Sequence, residues 1–137
     1  MAKNKKPLIY GYHPELALSG SDAPLPPIET WPNQYRGYEI KIECPEFTAI
    51  CPMTSQPDFG RIDIEYVPGD ACLELKALKL YLQALRDVGI FHETVTNVIL
   101  DDLVAACRPR RLSIVGDYNL RGGIKTIVKA EYARGAT

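Results

Sequence analysis

Several absences narrow the reading before any pattern is sought. No apolar run approaches the ~20 residues that a membrane-spanning helix requires, and the stretch from Met1 to Pro7 leads into no signal-type apolar segment. A cytoplasmic location is the expectation. Net charge is nearly nil: 16 Lys plus Arg against 17 Asp plus Glu leave −1, so the global balance favours neither a nucleic-acid backbone nor an anionic membrane as partner. Four cysteines, Cys44, Cys51, Cys72 and Cys107, contain no C-x-x-C pair, which disfavours a zinc ribbon and a thioredoxin-like site. Histidine is scarce. A two-histidine, one-cysteine zinc site would need both His13 and His92, and His13 lies among prolines. Neither G-x-G-x-x-G nor a P-loop occurs, so the standard nucleotide fingerprints do not apply. A length of 137 residues accommodates one domain, not a cofactor domain beside a substrate domain.

Against these absences the organisation is regular. Residues 1–34 carry Pro7, Pro14, Pro24, Pro26, Pro27 and Pro32 and read as an extended N-terminal arm, because proline fits neither a helix interior nor a central strand. Residues 35–137 read as a single domain. There, Tyr38, Ile40, Ile42 and Cys44 alternate with Glu39, Lys41 and Glu43, and Ile62, Ile64 and Tyr66 alternate with Arg61, Asp63 and Glu65, the period of half-buried strands. Phe47 to Gly60, broken by Pro52 and Pro57, reads as the loop between them. Leu75, Leu78, Leu82 and Leu85 then form a helical stripe with Gly89 as its stop, and Val95, Val98, Ile99, Leu103 and Ala106 form a second over Glu93–Cys107, ended by Pro109. Two more strands follow, through Leu112 and Ile114 and through Ile124 to Tyr132, joined by a turn at Asn119–Gly123. The order ββααββ predicts an α+β fold, an antiparallel sheet with two helices on one face. Its open edges favour assembly of several copies.

Cys51 and Asp58 flank a proline-stiffened loop. They read either as a thiolate nucleophile with a proton donor or acceptor, or as a small buried thiol with a turn residue. Lys76, Lys79, Gln83 and Arg86 form a basic stripe beside the leucines, either solvated or an anion site, and Glu74 sits at the helix start, where a carboxylate is favourable. His92 and Glu93 open the second helix as first-turn residues, or as a recognition pair in which the carboxylate accepts two N–H donors from a guanine-like edge. The Arg121-Gly122-Gly123 turn suits an anion.

The run from Cys72 to Leu82 (CLELKALKLYL), Gly89 to Glu93 (GIFHE) and Ile99 to Val104 (ILDDLV) together resemble the short, single-domain NADPH-dependent 7-cyano-7-deazaguanine reductases. The likeness extends from about Tyr38 to Tyr132. It implies a tunnelling fold, in which ββααββ subunits join sheets around stacked rings. It also implies reduction of a 7-deazaguanine nitrile to a primary amine in queuosine tRNA modification, with two NADPH per turnover and no metal. In that reading Cys51 and Asp58 are catalytic; Leu73, Glu74, Leu75, His92 and Glu93 bind substrate; and Lys76, Lys79 and Arg121 meet the cofactor. A homo-oligomer acting on a small molecule, without direct nucleic-acid or membrane contact, is expected, with sites completed by neighbouring subunits. Rival readings are a non-catalytic purine- or pterin-binding ring and a zinc-dependent cyclohydrolase-like enzyme on the same fold.

Overall fold

The computed structural model describes residues 23–135; His13 and most of the expected arm lie outside them. In chain order the elements are β1 (Thr30–Pro32), β2 (Ile40–Ile50), β3 (Pro57–Val67), β4 (Ala71–Leu73), α1 (Leu75–Ala84) continued by a 3₁₀ turn (Leu85–Asp87), α2 (His92–Cys107), β5 (Arg111–Arg121) and β6 (Ile124–Ala133). The long strands make an antiparallel sheet in the order β2-β3-β5-β6, and β1 pairs with β4 as a separate ribbon. One sheet face is the core. Ile62, Ile64, Tyr66, Leu112, Ile114 and Tyr118 are at most 2% exposed and pack against Leu78, Tyr81 and Leu85 of the first helical segment and Val95, Ile99 and Leu103 of α2. The other face keeps the alternate polar residues, where Lys41 pairs with Glu65 and Arg61 with Glu43 and Asp63. This is the expected ββααββ arrangement, with both helices on one face. Among the described residues no helix is long and apolar enough to cross a membrane.

A bulge in β2 decides which way its far end faces. Cys44 is opposite Ile62 and Phe47 is opposite Gly60, so three residues on β2 span two on β3. The extra residue, at Pro45-Glu46, reverses the side-chain parity. Before it, Ile40, Ile42 and Cys44 pack toward the core; after it, Phe47 and Ala49 do, at 3% and 2% exposure. Without the bulge the inward set would have fallen on the even positions, and Phe47 and Ala49 would point to the open face.

Several boundaries differ from those read in the sequence. The loop expected over Phe47–Gly60 is six residues, 51–56: Pro45 sits at the bulge and Pro57 at the first position of a strand, both places where a missing N–H costs no ladder bond. The leucine stripe of α1 is turned. Leu78 and Leu85 are core, but Leu75 is 61% exposed, while Ala77 and Tyr81 take the inward positions; the Tyr81 hydroxyl donates to Asp102 Oδ2 of α2 at 2.5 Å. On α2, Thr96, Leu100 and Cys107 are buried where Val98 and Ala106 were expected to be innermost. Gly89 is no helix stop; it is buried and bridges Ile50 in a parallel contact, the Ile50 amide donating to the Val88 carbonyl and the Ile90 amide to the Ile50 carbonyl, each at 3.0 Å. The last turn is shorter than Asn119–Gly123: Arg121 pairs with Ile124, and Gly122 and Gly123 alone turn the chain at φ 57° and 79°, angles that glycine adopts without strain.

Candidate active site

Three elements converge where the β2–β3 hairpin ends. Ala49 is opposite Asp58 and Ile50 opposite Pro57. The loop is closed at its neck by the Cys51 amide donating to the Gln56 carbonyl and the Ser55 amide to the Cys51 carbonyl, both at 2.8 Å. Cys51 is half-buried there. Through the Ile50–Gly89 bridge the same neck is fastened to the segment that enters α2, so His92 and Glu93 arrive beside it. The backbone at Cys51, that at Asp58 and the start of α2 are therefore brought to one end of the hairpin by pairing.

Asp58 is 7% exposed, a degree of burial that an ionised carboxylate tolerates only with partners. Arg121 Nη2 lies 2.9 Å from its Oδ1 and His92 Nε2 3.2 Å from its Oδ2. Arg121 also donates to the Pro57 carbonyl. The His92 ring lies flat on Tyr118, with centroids 3.9 Å apart and 5° between planes, and Phe47 meets Tyr118 edge-on at 6.5 Å. Burial pushes the Tyr118 phenol up to about 12. Glu93 is exposed in the first turn of α2.

The remaining cysteines have no comparable setting. Burial raises the Cys44 thiol, and it pushes Cys107 up to about 11, which keeps both protonated and poorly nucleophilic. Cys72 is 1% exposed, with its sulfur 3.4 Å from the Tyr38 hydroxyl.

The other expected site residues gather at the far end of α1. Leu73 is 2% exposed, its side chain in the core, and its amide donates to the Tyr66 hydroxyl at 3.0 Å. Glu74 caps the helix, its two oxygens accepting from the Lys76 and Ala77 amides at 3.0 and 2.7 Å, and these bonds hold its carboxyl below the usual glutamate range. Leu75 and Lys79 line a cavity of about 410 Å³ against β2, with Gln83 and Arg86 further along the helix; Lys76 is exposed nearby. Cys51 adjoins the segment after α1, whereas Glu74 precedes it, so a ten-residue helix, about 15 Å long, separates the two groups within one chain. Among the described residues no cluster of three His, Cys, Asp or Glu side chains has a metal-holding arrangement.

Tyr118 and Thr96 were not singled out in the sequence. The available signal was glycine within strand patterns, at Gly60 and Gly116, which marks close approach.

Comparison with known proteins identifies the family. The family described as "QueF-like protein" matches residues 57–137. A protein of Elusimicrobium minutum named NADPH-dependent 7-cyano-7-deazaguanine reductase is 50% identical over 126 residues, covering 91% of this chain and 96% of its own. One of the same name from Anaeromyxobacter dehalogenans is 57% identical over 107 residues, 77% of this chain and 88% of that one. The chain belongs to the NADPH-dependent 7-cyano-7-deazaguanine reductase family. Its fold is shared with the apo crystal structure of an archaeosine synthase QueF-Like, at TM-score 0.68 and 21% identity over 75% of this chain and all of that one. In this chain Cys51, Asp58, His92 and Glu93 lie at one end of the sheet.

Proposed function

We propose that this chain is an NADPH-dependent reductase that converts the nitrile of 7-cyano-7-deazaguanine to a primary amine for queuosine formation. The carrying observation is the buried Asp58 carboxylate, held between Arg121 and His92 at the hairpin end that bears Cys51, in a chain 50% identical to a reductase named for this reaction.

The residues have divisible tasks. The Cys51 sulfur adds to the electrophilic nitrile carbon, forming a carbon–sulfur bond while the nitrogen takes a proton; the product is a covalent thioimide. Asp58 takes the thiol proton as the Cys51 sulfur becomes a thiolate and hands it to that nitrogen. Its neighbours fix where the carboxyl points, which matters because proton transfer needs hydrogen-bond reach. Glu93 accepts the paired N–H donors of the deazaguanine edge, with His92 beside it. The two hydrides that NADPH would supply take the carbon from nitrile to amine oxidation level, and between them the carbon–sulfur bond breaks, returning the Cys51 thiolate and leaving an imine for the second hydride. Cationic donors suited to its phosphates are Lys76 and Lys79 on α1 and Arg121 before the Gly-Gly turn; of these, Arg121 is engaged by Asp58 in this structure.

The distance between the two groups supports a shared site. One chain presents Cys51, Asp58, His92 and Glu93, and a second copy presents the segment from Leu73 to Lys79, so the enzyme works as a homo-oligomer.

Mixing protein, NADPH and the nitrile is expected to consume the reduced nicotinamide in proportion to nitrile. Cys51→Ala is expected to abolish turnover and the covalent adduct seen by intact-mass measurement with the nitrile. Nitrile-independent oxidation of NADPH, or normal turnover in Cys51→Ala, would overturn this function.

A further inference from the structure

Tyr118 grips His92 at two points. Its ring lies 3.9 Å beneath the imidazole and parallel to it. Its hydroxyl is 2.7 Å from Thr96 Oγ1, which in turn lies 2.8 Å from the His92 carbonyl oxygen. Two hydroxyl protons satisfy this chain in one direction: Thr96 donates to the carbonyl and Tyr118 donates to Thr96. Raised to about 12 by burial, the phenol keeps its proton at neutral pH. The stack has work to do, because the contact between His92 Nε2 and Asp58 lacks hydrogen-bond alignment and therefore cannot itself fix the ring.

The strands are built to admit this tyrosine. Gly60 is its cross-strand partner on β3, and Gly116 precedes it by two on the same face. A Cβ at Gly60 would stand 2.9 Å from Tyr118 Cδ1, and one at Gly116 would stand 2.7 Å from both Cε2 and the hydroxyl oxygen. Those distances leave no room for any other residue under a ring that lies flat.

We infer that Tyr118 is a positioning residue for nitrile reduction, holding the His92 imidazole against the Asp58 carboxylate by stacking and by its link through Thr96. This rests on the reductase reading given above. The position of His92, and through it the orientation of the proton donor, is thereby set from β5.

Two variants and one spectrum test it. Tyr118→Phe keeps the stack and drops the hydroxyl; Tyr118→Leu removes the stack. In folded Tyr118→Leu, kcat is expected to fall about 10- to 100-fold, the scale of a misplaced reacting group, with KM for NADPH unchanged. Tyr118→Phe is expected to stay within about five-fold of wild type, the weight of one neutral hydrogen bond. The His92 ring protons, identified by their loss in His92→Gln, should lie upfield of an exposed imidazole's in wild type and in Tyr118→Phe, and return to ordinary positions in Tyr118→Leu. Wild-type kcat in folded Tyr118→Leu overturns the inference. So do ordinary His92 shifts in the wild type, which decide alone if Tyr118→Leu does not fold. A wild type that leaves NADPH unconsumed with the nitrile overturns the reductase reading instead, and the ring shifts still report the stack.

Discussion

Asp58 has both carboxylate oxygens assigned, Oδ1 to Arg121 and Oδ2 to His92, while being almost fully buried. The Arg121 pair and the neighbouring imidazole bound where this carboxyl can point, and proton transfer depends on that. Asp58→Asn keeps the shape but loses the acid, so the rate of adduct formation is expected to drop about 10²- to 10⁴-fold with the nitrile still bound; single-turnover mass measurements check this, and an unchanged rate would remove Asp58 from its role. At this scale the sequence was half legible. Residue type beside a proline-stiffened loop left Cys51 and Asp58 open between a reactive pair and a buried thiol with a turn residue, and the family resemblance favoured the first. The contact of Arg121 with Asp58 was not read, since it depends on register across β3 and β5, which brings the end of β5 to the start of β3. No local pattern carries that register.

Elements were legible where period alone defines them and less so where geometry intervenes. Alternation in β2 and β3 gave the strands but not their length, because proline was read as a break when it occupied a bulge and a strand start. Leucine spacing gave α1 but not which flank faces the sheet. The three-residue ribbon of β1 and β4 is too short for a period to show. Glu74 illustrates a cap with a pH signature. Its carboxyl titrates lower in the folded state than the ordinary value of 4.5, because two backbone amides favour the charged form. A depressed folded value means the stabilisation is complete above the unfolded value and is lost as pH falls through the folded one. Thermal melts of Glu74→Ala should therefore lie below wild type at neutral pH, with the gap narrowing as the pH falls below about 4.5; a gap independent of pH would assign the effect to packing.

For the whole molecule, the open question in the sequence was how so short a chain encloses both a base and a dinucleotide. A site shared between copies, as proposed above, would accommodate the separation of the Cys51 group from the Glu74 group by the length of α1. Cys51→Ala and Glu74→Ala chains, each inactive alone, are expected to regain partial activity when refolded together, because hybrids contain one intact pairing of the two groups; verified hybrids without activity would place both groups in one chain. The bulge at Pro45-Glu46 bears on how such copies meet. In the described sheet β2 is an edge, and a proline without an N–H at an irregular step divides that edge into two short stretches, Ile40–Cys44 and Phe47–Ile50. An incoming strand finds no continuous eleven-residue template there, so growth by indefinite strand addition is frustrated. The interruption that turns Phe47 and Ala49 inward also makes this border of the described sheet resistant to fibre formation.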